Sequence, residues 1–280
     1  MIDSEYSQAL PVIVGDYRYV EFVLVGCGGT GGFLSPSLAR LILALNQGGK
    51  RAFATFVDPD SIEAKNIPRQ NFVQAEMGFN KAQVLARRYS LAYGLEIRAI
   101  ASSFEVEMVK PEWGKLTVVI GAVDNGAART EIAKTLDVNQ NYQVPKVWWL
   151  DCGNQGNGIP AGQVLLGSTH SLTLQNAFNH PDTPNFCINL PSPSVVAPTL
   201  LTPEKEALQS SHLSCAEMAR LNQQALFINQ RVAAEAIEML AQLTLSRGLK
   251  RFATYFHAGV GSSRSVYSSP NTLVNFFKES

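Results

Sequence analysis

Residues 20–32 read VEFVLVGCGGTGG, an apolar run that ends in glycine and passes straight into four more glycines. Such a run has the form of a strand buried on both faces of a sheet. Residues 30–46 (TGGFLSPSLARLILALN) follow, with Leu34, Leu38, Leu41 and Leu45 at helical spacing. Pro36 is expected within about the first turn, where its missing N–H does no harm. Glycines between a strand and a helix permit a tight turn. They also let backbone N–H groups approach a phosphate at the helix N-terminus. Gly26, Gly28, Gly29 and Gly31 are therefore candidate nucleotide contacts.

Working outward, residues 52–58 (AFATFVD) read as a second strand, 80–93 as a helix and 95–102 as a third strand. Residues 116–123 (LTVVIGAV) and 145–151 (PKVWWLD) follow as the fourth and fifth strands, with a helix at 126–137 between them. Strands alternating with helices predict an α/β fold: a Rossmann-like, doubly wound, mostly parallel sheet. The second half differs. Residues 162–168 (GQVLLGS) read as a strand, expected antiparallel. Six of the fourteen prolines then fall between 181 and 203, and a long segment without periodicity is usually functional or disordered. A helix is expected from 214 to 246 and a hairpin over 252–268, turning at Gly259–Gly261. The expected organisation is a nucleotide-binding domain over 1–170, a crossover loop over 171–213, and a helix and hairpin over 214–280 that complete the same domain.

Composition narrows the classes. The 280 residues carry 23 Lys+Arg against 23 Asp+Glu, a formal net charge of zero. A nucleic-acid binder would normally carry a basic excess, so none is expected as a partner. Asp3 and Glu5 stand where a signal peptide would carry positive charge, and no apolar run of about 18 residues follows. The expectation is a cytoplasmic protein with no membrane partner. Cys27, Cys152, Cys187 and Cys215 form no CxxC pair, so neither a disulfide framework nor structural zinc is expected.

Three groups of residues carry the chemistry. Asp58 closes the second strand, where an acid typically accepts hydrogen bonds from ribose hydroxyls. To that point a nicotinamide-dependent dehydrogenase fits equally well, as does an acid that only caps a turn. The run DPDSIEAKNIPRQ (58–70), followed by Gly78-Phe-Asn-Lys81, separates the cases. It supplies Asp60, Asn66, Arg69, Gln70 and Lys81, a polar cluster that a triphosphate requires and a dinucleotide does not. Arg69 offers a planar fork for phosphate oxygens and Lys81 a point charge at a helix start. Finally, Asp124-Asn125 follows the fourth strand, at the sheet edge where open parallel sheets bind ligands. A carboxylate there holds Mg2+ against phosphate oxygens, or else caps the next helix.

With these residues in view, GCGGTGG, DPDSIEAKNIPRQ, GFNK and AVDN with Arg129 resemble the ThiF/MoeB/HesA family of ubiquitin-activating-enzyme-like adenylyltransferases, over about residues 18–168. The second half, with SCAEMARLNQQALFINQ before a long helix and YFHAGVG after it, is similar to a narrower branch, the ThiF-like proteins of PRTRC plasmid systems and of bacterial ubiquitin-like conjugation operons. The resemblance implies ATP and Mg2+ as cofactors. It implies adenylation of the C-terminal glycine of a ubiquitin-like protein, thioester formation on a cysteine and handover to a conjugating enzyme. A homodimer and a setting in antiviral defence go with it. By position, Asp58 would hold the ribose, Asn66, Arg69, Gln70 and Lys81 the phosphates, and Asp124 the metal, with Arg69, Lys81 and Asp124 acting in catalysis. Alternatives are a sulfur-carrier adenylyltransferase of cofactor biosynthesis, which uses the same ATP site, and a non-catalytic scaffold subunit.

Among the cysteines, Cys27 lies in the glycine loop and Cys152 at the end of a buried strand, both expected to be structural. Cys187 stands in the proline-rich loop, a second candidate for a reactive thiol. Cys215 is the preferred one. Ser214-Cys215-Ala216-Glu217 has capping-box spacing, which places Cys215 at the first helical position, where the helix dipole stabilises a thiolate.

Overall fold

The structure, a computed structural model, describes residues 4–154, 159–170, 177–178, 185–202 and 215–278, the side chains of 4, 215–225 and 275–278 excepted. A short helix α1 (Ser4–Gln8) precedes β1 (Tyr19–Val25), α2 (Gly29–Gln47) and β2 (Arg51–Val57). Then come α3 (Lys81–Tyr93), β3 (Ile97–Ile100), β4 (Lys115–Gly121), α4 (Gly126–Lys134), β5 (Val147–Asn154) and β6 (Ala161–Gly167). The remainder is α5 (Pro193–Val196), α6 (Cys215–Ala241), β7 (Arg251–His257), β8 (Ser262–Tyr267) and α7 (Pro270–Lys278).

The strands form one eight-stranded sheet in the order β3-β2-β1-β4-β5-β6-β7-β8. Pairings from β3 through β5 are parallel, and β5-β6-β7-β8 is antiparallel. The expected mostly parallel sheet with an antiparallel extension is what forms. β1 explains its own apolar sequence. Val20, Phe22 and Leu24 face the larger core with α2 and α6, while Val23 and Val25 face a second cluster with Val119, Ile132 and Trp149. Covering both faces removes polar alternation, and the one charged side chain of β1, Glu21, is buried and paired with Lys115 at 3.1 Å. The chain steps from β1 to β2 on one side and returns to β4 on the other, so the topological switch, and the crevice that goes with it, lies between the ends of β1 and β4.

One expectation about the helices needs correction. Pro36 sits well inside α2 rather than in its first turn. A proline there leaves the carbonyl four residues back without its N–H partner. That carbonyl belongs to Gly32, and it accepts instead from Ser35 Oγ at 2.8 Å and Asn71 Nδ2 at 3.0 Å. The helix from 214 to 246 starts at Cys215 and closes in a π turn over Gln242–Ser246. The proline-rich loop also holds more structure than its sequence announces. Ser192 caps α5 by accepting from Val195 N, and Cys187 pairs with Val12 and is fully buried.

Candidate functional site

The glycine loop is fixed by close backbone approaches that only glycine permits. Gly26 has φ +89°, and a Cβ there would stand 2.5 Å from the Ala122 carbonyl oxygen; a Cβ on Gly31 would stand 1.9 Å from the Gly26 carbonyl oxygen. The loop therefore lies against the end of β4, held by an Ala122 N–H to Val25 O bond of 2.8 Å. Gly28 occupies the N-cap of α2 and no side chain caps it. The first-turn N–H groups are left without side-chain acceptors, the arrangement that receives an anion.

Asp58 stands just beyond β2, buried beneath this loop. Its Oδ2 accepts from Cys27 N at 2.6 Å and its Oδ1 from Asp60 N at 2.8 Å. Burial pushes the carboxyl above its usual range, opposed by those two N–H groups and the Lys81 cation. Asp58 thus ties the loop to the turn that follows β2, and each oxygen retains a second lone pair for a ligand hydroxyl.

The 61–81 segment folds back over the loop. Asn66 is buried, its Oδ1 accepting from Glu63 N at 2.8 Å; its carbonyl accepts from Arg69 N and Gln70 N. This turn presents Arg69, half-buried with no acid paired to it among the described residues, beside Gln70. Gln70 lies on Gly28, its Nε2 3.4 Å from where a Cβ would be, and its buried Oε1 has no partner. An orphaned acceptor over a glycine cradle fits a site completed by a ligand. Lys81 opens α3, capped by Asn80, and its buried ammonium reaches the exposed Asp60 carboxylate at 2.7 Å.

On the other side of the crevice, Asn125 accepts from Ala128 N at 2.8 Å and is the N-cap of α4. That assigns the capping role to Asn125 and leaves the exposed Asp124 uncommitted. Arg129 braces the turn. Its Nε bonds the fully buried Asp151 at 3.0 Å and its second nitrogen bonds the Val123 carbonyl at 2.8 Å. Burial raises the Asp151 pKa, with Arg129 opposing. Among the described residues no three His, Cys, Asp or Glu side chains gather as a metal-holding group. A metal at Asp124 would take its remaining ligands from substrate phosphates and water, as Mg2+ commonly does.

Gly26, Gly28, Gly29, Gly31, Asp58, Asp60, Asn66, Arg69, Gln70, Lys81, Asp124 and Asn125 all come from the glycine loop, the 58–81 segment and the end of β4. Asp151 and Asn229, which pack against these segments, were not singled out by the sequence. Asn229 comes from the middle of α6 and accepts from Thr30 Oγ1 at 3.1 Å and Asn154 Nδ2 at 2.8 Å. Its only signal in sequence is a polar residue in an otherwise apolar helical stripe.

The thiols divide. Cys27, Cys152 and Cys187 are fully or almost fully buried, and burial raises all three pKa values, that of Cys187 to about 12. Cys187 is thereby corrected from candidate nucleophile to core residue, bonded through its Sγ to the Asn189 carbonyl. Cys215 heads α6 as expected; its side chain, and Ser214 of the capping box, lie outside the described residues.

Residues 16–148 match the model of the ThiF family. Among solved structures, E. coli MccB with ATP is similar at a TM-score of 0.54 and 15% identity, over 95% of this chain and 67% of that one. E. coli MccB with AMPCPP and MccA gives 0.52 and 15%, over 89% and 65%. PaaA gives 0.51 and 14%, over 89% and 64%. The chain thus spans 64% to 67% of the length of these proteins. No curated protein matches it in sequence.

Proposed function

The chain carries a ThiF family domain over residues 16–148, and on that premise we propose that it is an ATP- and Mg2+-dependent adenylyltransferase that activates the C-terminal glycine of a ubiquitin-like protein. One observation carries the reading. The uncapped start of α2 is overlain at Gly28 by Gln70, whose buried Oε1 lacks a partner among the described residues, with Asp58 bonded beneath the loop and the Lys81 cation acting on its carboxyl. Arg69 and Asp124 are assigned to the same crevice by this proposal.

ATP enters with its ribose toward Asp58 and its phosphates over Gly28–Gly31. Arg69 and Lys81 neutralise phosphate oxygens, and Lys81 exchanges Asp60 for them. Asp124 would hold Mg2+, which when bound neutralises charge developing on the pyrophosphate. A carboxylate oxygen of the partner's terminal glycine attacks the α-phosphorus, and the α–β anhydride bond breaks. The products are an acyl-adenylate and pyrophosphate. Positioning and charge neutralisation do the catalysis. The Cys215 thiolate then attacks the activated carbonyl, AMP leaves, and a thioester remains for a conjugating enzyme. A homodimer is the proposed assembly.

ATP–pyrophosphate exchange with a candidate ubiquitin-like partner tests the first step. Asp124→Ala should lower exchange at least about a hundredfold, the scale of losing a principal electrostatic group. Undiminished exchange in that variant removes the assignment.

A further inference from the structure

The buried face of α6 is apolar at Ile228, Val232, Ala236, Met239 and Leu243, yet Asn229, 3% exposed, stands in the same stripe. Buried polar groups are normally hydrogen-bonded on all sides that matter. Asn229 is satisfied on one side only. Its Oδ1 takes two bonds, from Thr30 on α2 and Asn154 at the end of β5. No described residue accepts from its Nδ2. That nitrogen is the nearest atom to the place a Cβ on Gly29 would occupy, 2.4 Å away. In the observed arrangement the Thr30 hydroxyl and the Asn154 amide donor both face the Asn229 oxygen, which directs Nδ2 toward Gly29.

Gly29 is the first residue of α2. Two buried amides therefore close on consecutive glycines of the loop: Gln70 over Gly28 from the 58–81 segment, and Asn229 over Gly29 from the second half of the chain. Each has a polar atom without a partner among the described residues, and both meet at the uncapped helix start.

We propose that Asn229 is a nucleotide-site residue. Its Nδ2 donates to a phosphate oxygen of the bound nucleotide while its Oδ1 is anchored by Thr30 and Asn154. This rests on the ATP-binding reading above and extends it: the glycine loop is completed by α6, so the parallel half of the sheet is insufficient to hold the triphosphate.

The test compares ATP and adenosine binding to the full-length wild type and to Asn229→Asp. That variant keeps an oxygen for Thr30 and Asn154 and puts a carboxylate oxygen in place of the donor. ATP is followed by calorimetry and adenosine by ligand-observed NMR, with the melting temperature as a check on folding. The expected result is a dissociation constant for ATP raised at least about tenfold, in line with the loss of a hydrogen bond to a charged group, and adenosine binding unchanged. Equal ATP affinity in both proteins, or parallel loss of ATP and adenosine, overturns the assignment. A wild type that binds no ATP overturns the adenylyltransferase reading itself. Should Asn229→Asp fold poorly, Thr30→Val, which removes one of the two donors that anchor the amide oxygen, is expected to weaken ATP severalfold and spare adenosine; no change there counts against the proposal.

Discussion

Replacing Arg129 by methionine isolates the brace behind the Asp124 turn. In the folded protein Arg129 is 9% exposed at its side chain and Asp151 not at all, with Nε and Oδ1 at 3.0 Å. Removing the cation leaves a carboxylate fully buried, with an Oδ2 that already lacks a donor. Breaking such a pair from one side costs about 3–5 kcal/mol. Coulomb's law gives a similar figure, about 4 kcal/mol for charges about 4 Å apart at an effective dielectric near 20. For a chain of this size the melting temperature should fall by roughly 6–20 °C. The loss must also depend on pH. Asp151 has a folded pKa above its unfolded value because burial disfavours the charge, and removing Arg129 raises it further. The folded variant then holds a proton that the unfolded chain releases, so its stability is greatest below the unfolded pKa and declines as pH rises toward the folded one. Urea titrations at pH 5.5 and 7.5 should show the gap to wild type narrowing at the lower pH. Arg129→Met with Asp151→Leu should recover more than half of the loss, since no buried charge remains. A single variant costing less than about 1 kcal/mol, well under the range for a buried pair, would refute the argument. So would a gap unchanged with pH, or a double variant no better than the single.

Gly31→Ala places a methyl group 1.9 Å from the Gly26 carbonyl oxygen. It should cost about 1–3 kcal/mol or more, as overpacking does, and abolish ATP binding measured by calorimetry; wild-type affinity would mean the loop relaxes freely. Iodoacetamide on the native protein should spare Cys27, Cys152 and Cys187, whose thiols are buried and raised in pKa, and modify them once urea is added. Mass spectrometry showing native labelling at Cys187 would contradict its burial. The same proteins address the thioester: a reducible adduct with the ubiquitin-like partner should form in wild type and be lost in Cys215→Ala.

Much of the fold was legible because each element signals itself locally. β1 is apolar apart from Tyr19 and Glu21 since both its faces are covered, Asn80 and Gly94 bracket α3 as cap and left-handed stop, and Gly31 is required by the Gly26 carbonyl five residues back. The candidate residues on the glycine loop, the 58–81 segment and the end of β4 could be proposed for the same reason. In a parallel α/β sheet all strand ends of one sense share an edge, so residues just past strands converge without any long-range contact being known. Pro36 shows where local rules stop. Its place inside α2 is tolerated because Asn71, thirty-nine residues beyond Gly32, supplies a donor to the carbonyl that proline leaves bare.

What the sequence determined by itself was the alternation and the switch at β1, and it supplied the cations and acids proposed for the site, all read from neighbours in the chain. Only the tertiary structure decided that Cys187 is buried, since it looks like a loop residue until Val12 pairs with it. It decided as well that Arg129 spends its charge on Asp151, and that an asparagine 199 residues from Thr30 rests on the glycine loop. Hydrogen bonds and burial between distant segments leave no periodic trace, because a single polar side chain in an apolar stripe has the same pattern whether its partner is water, backbone or nucleotide.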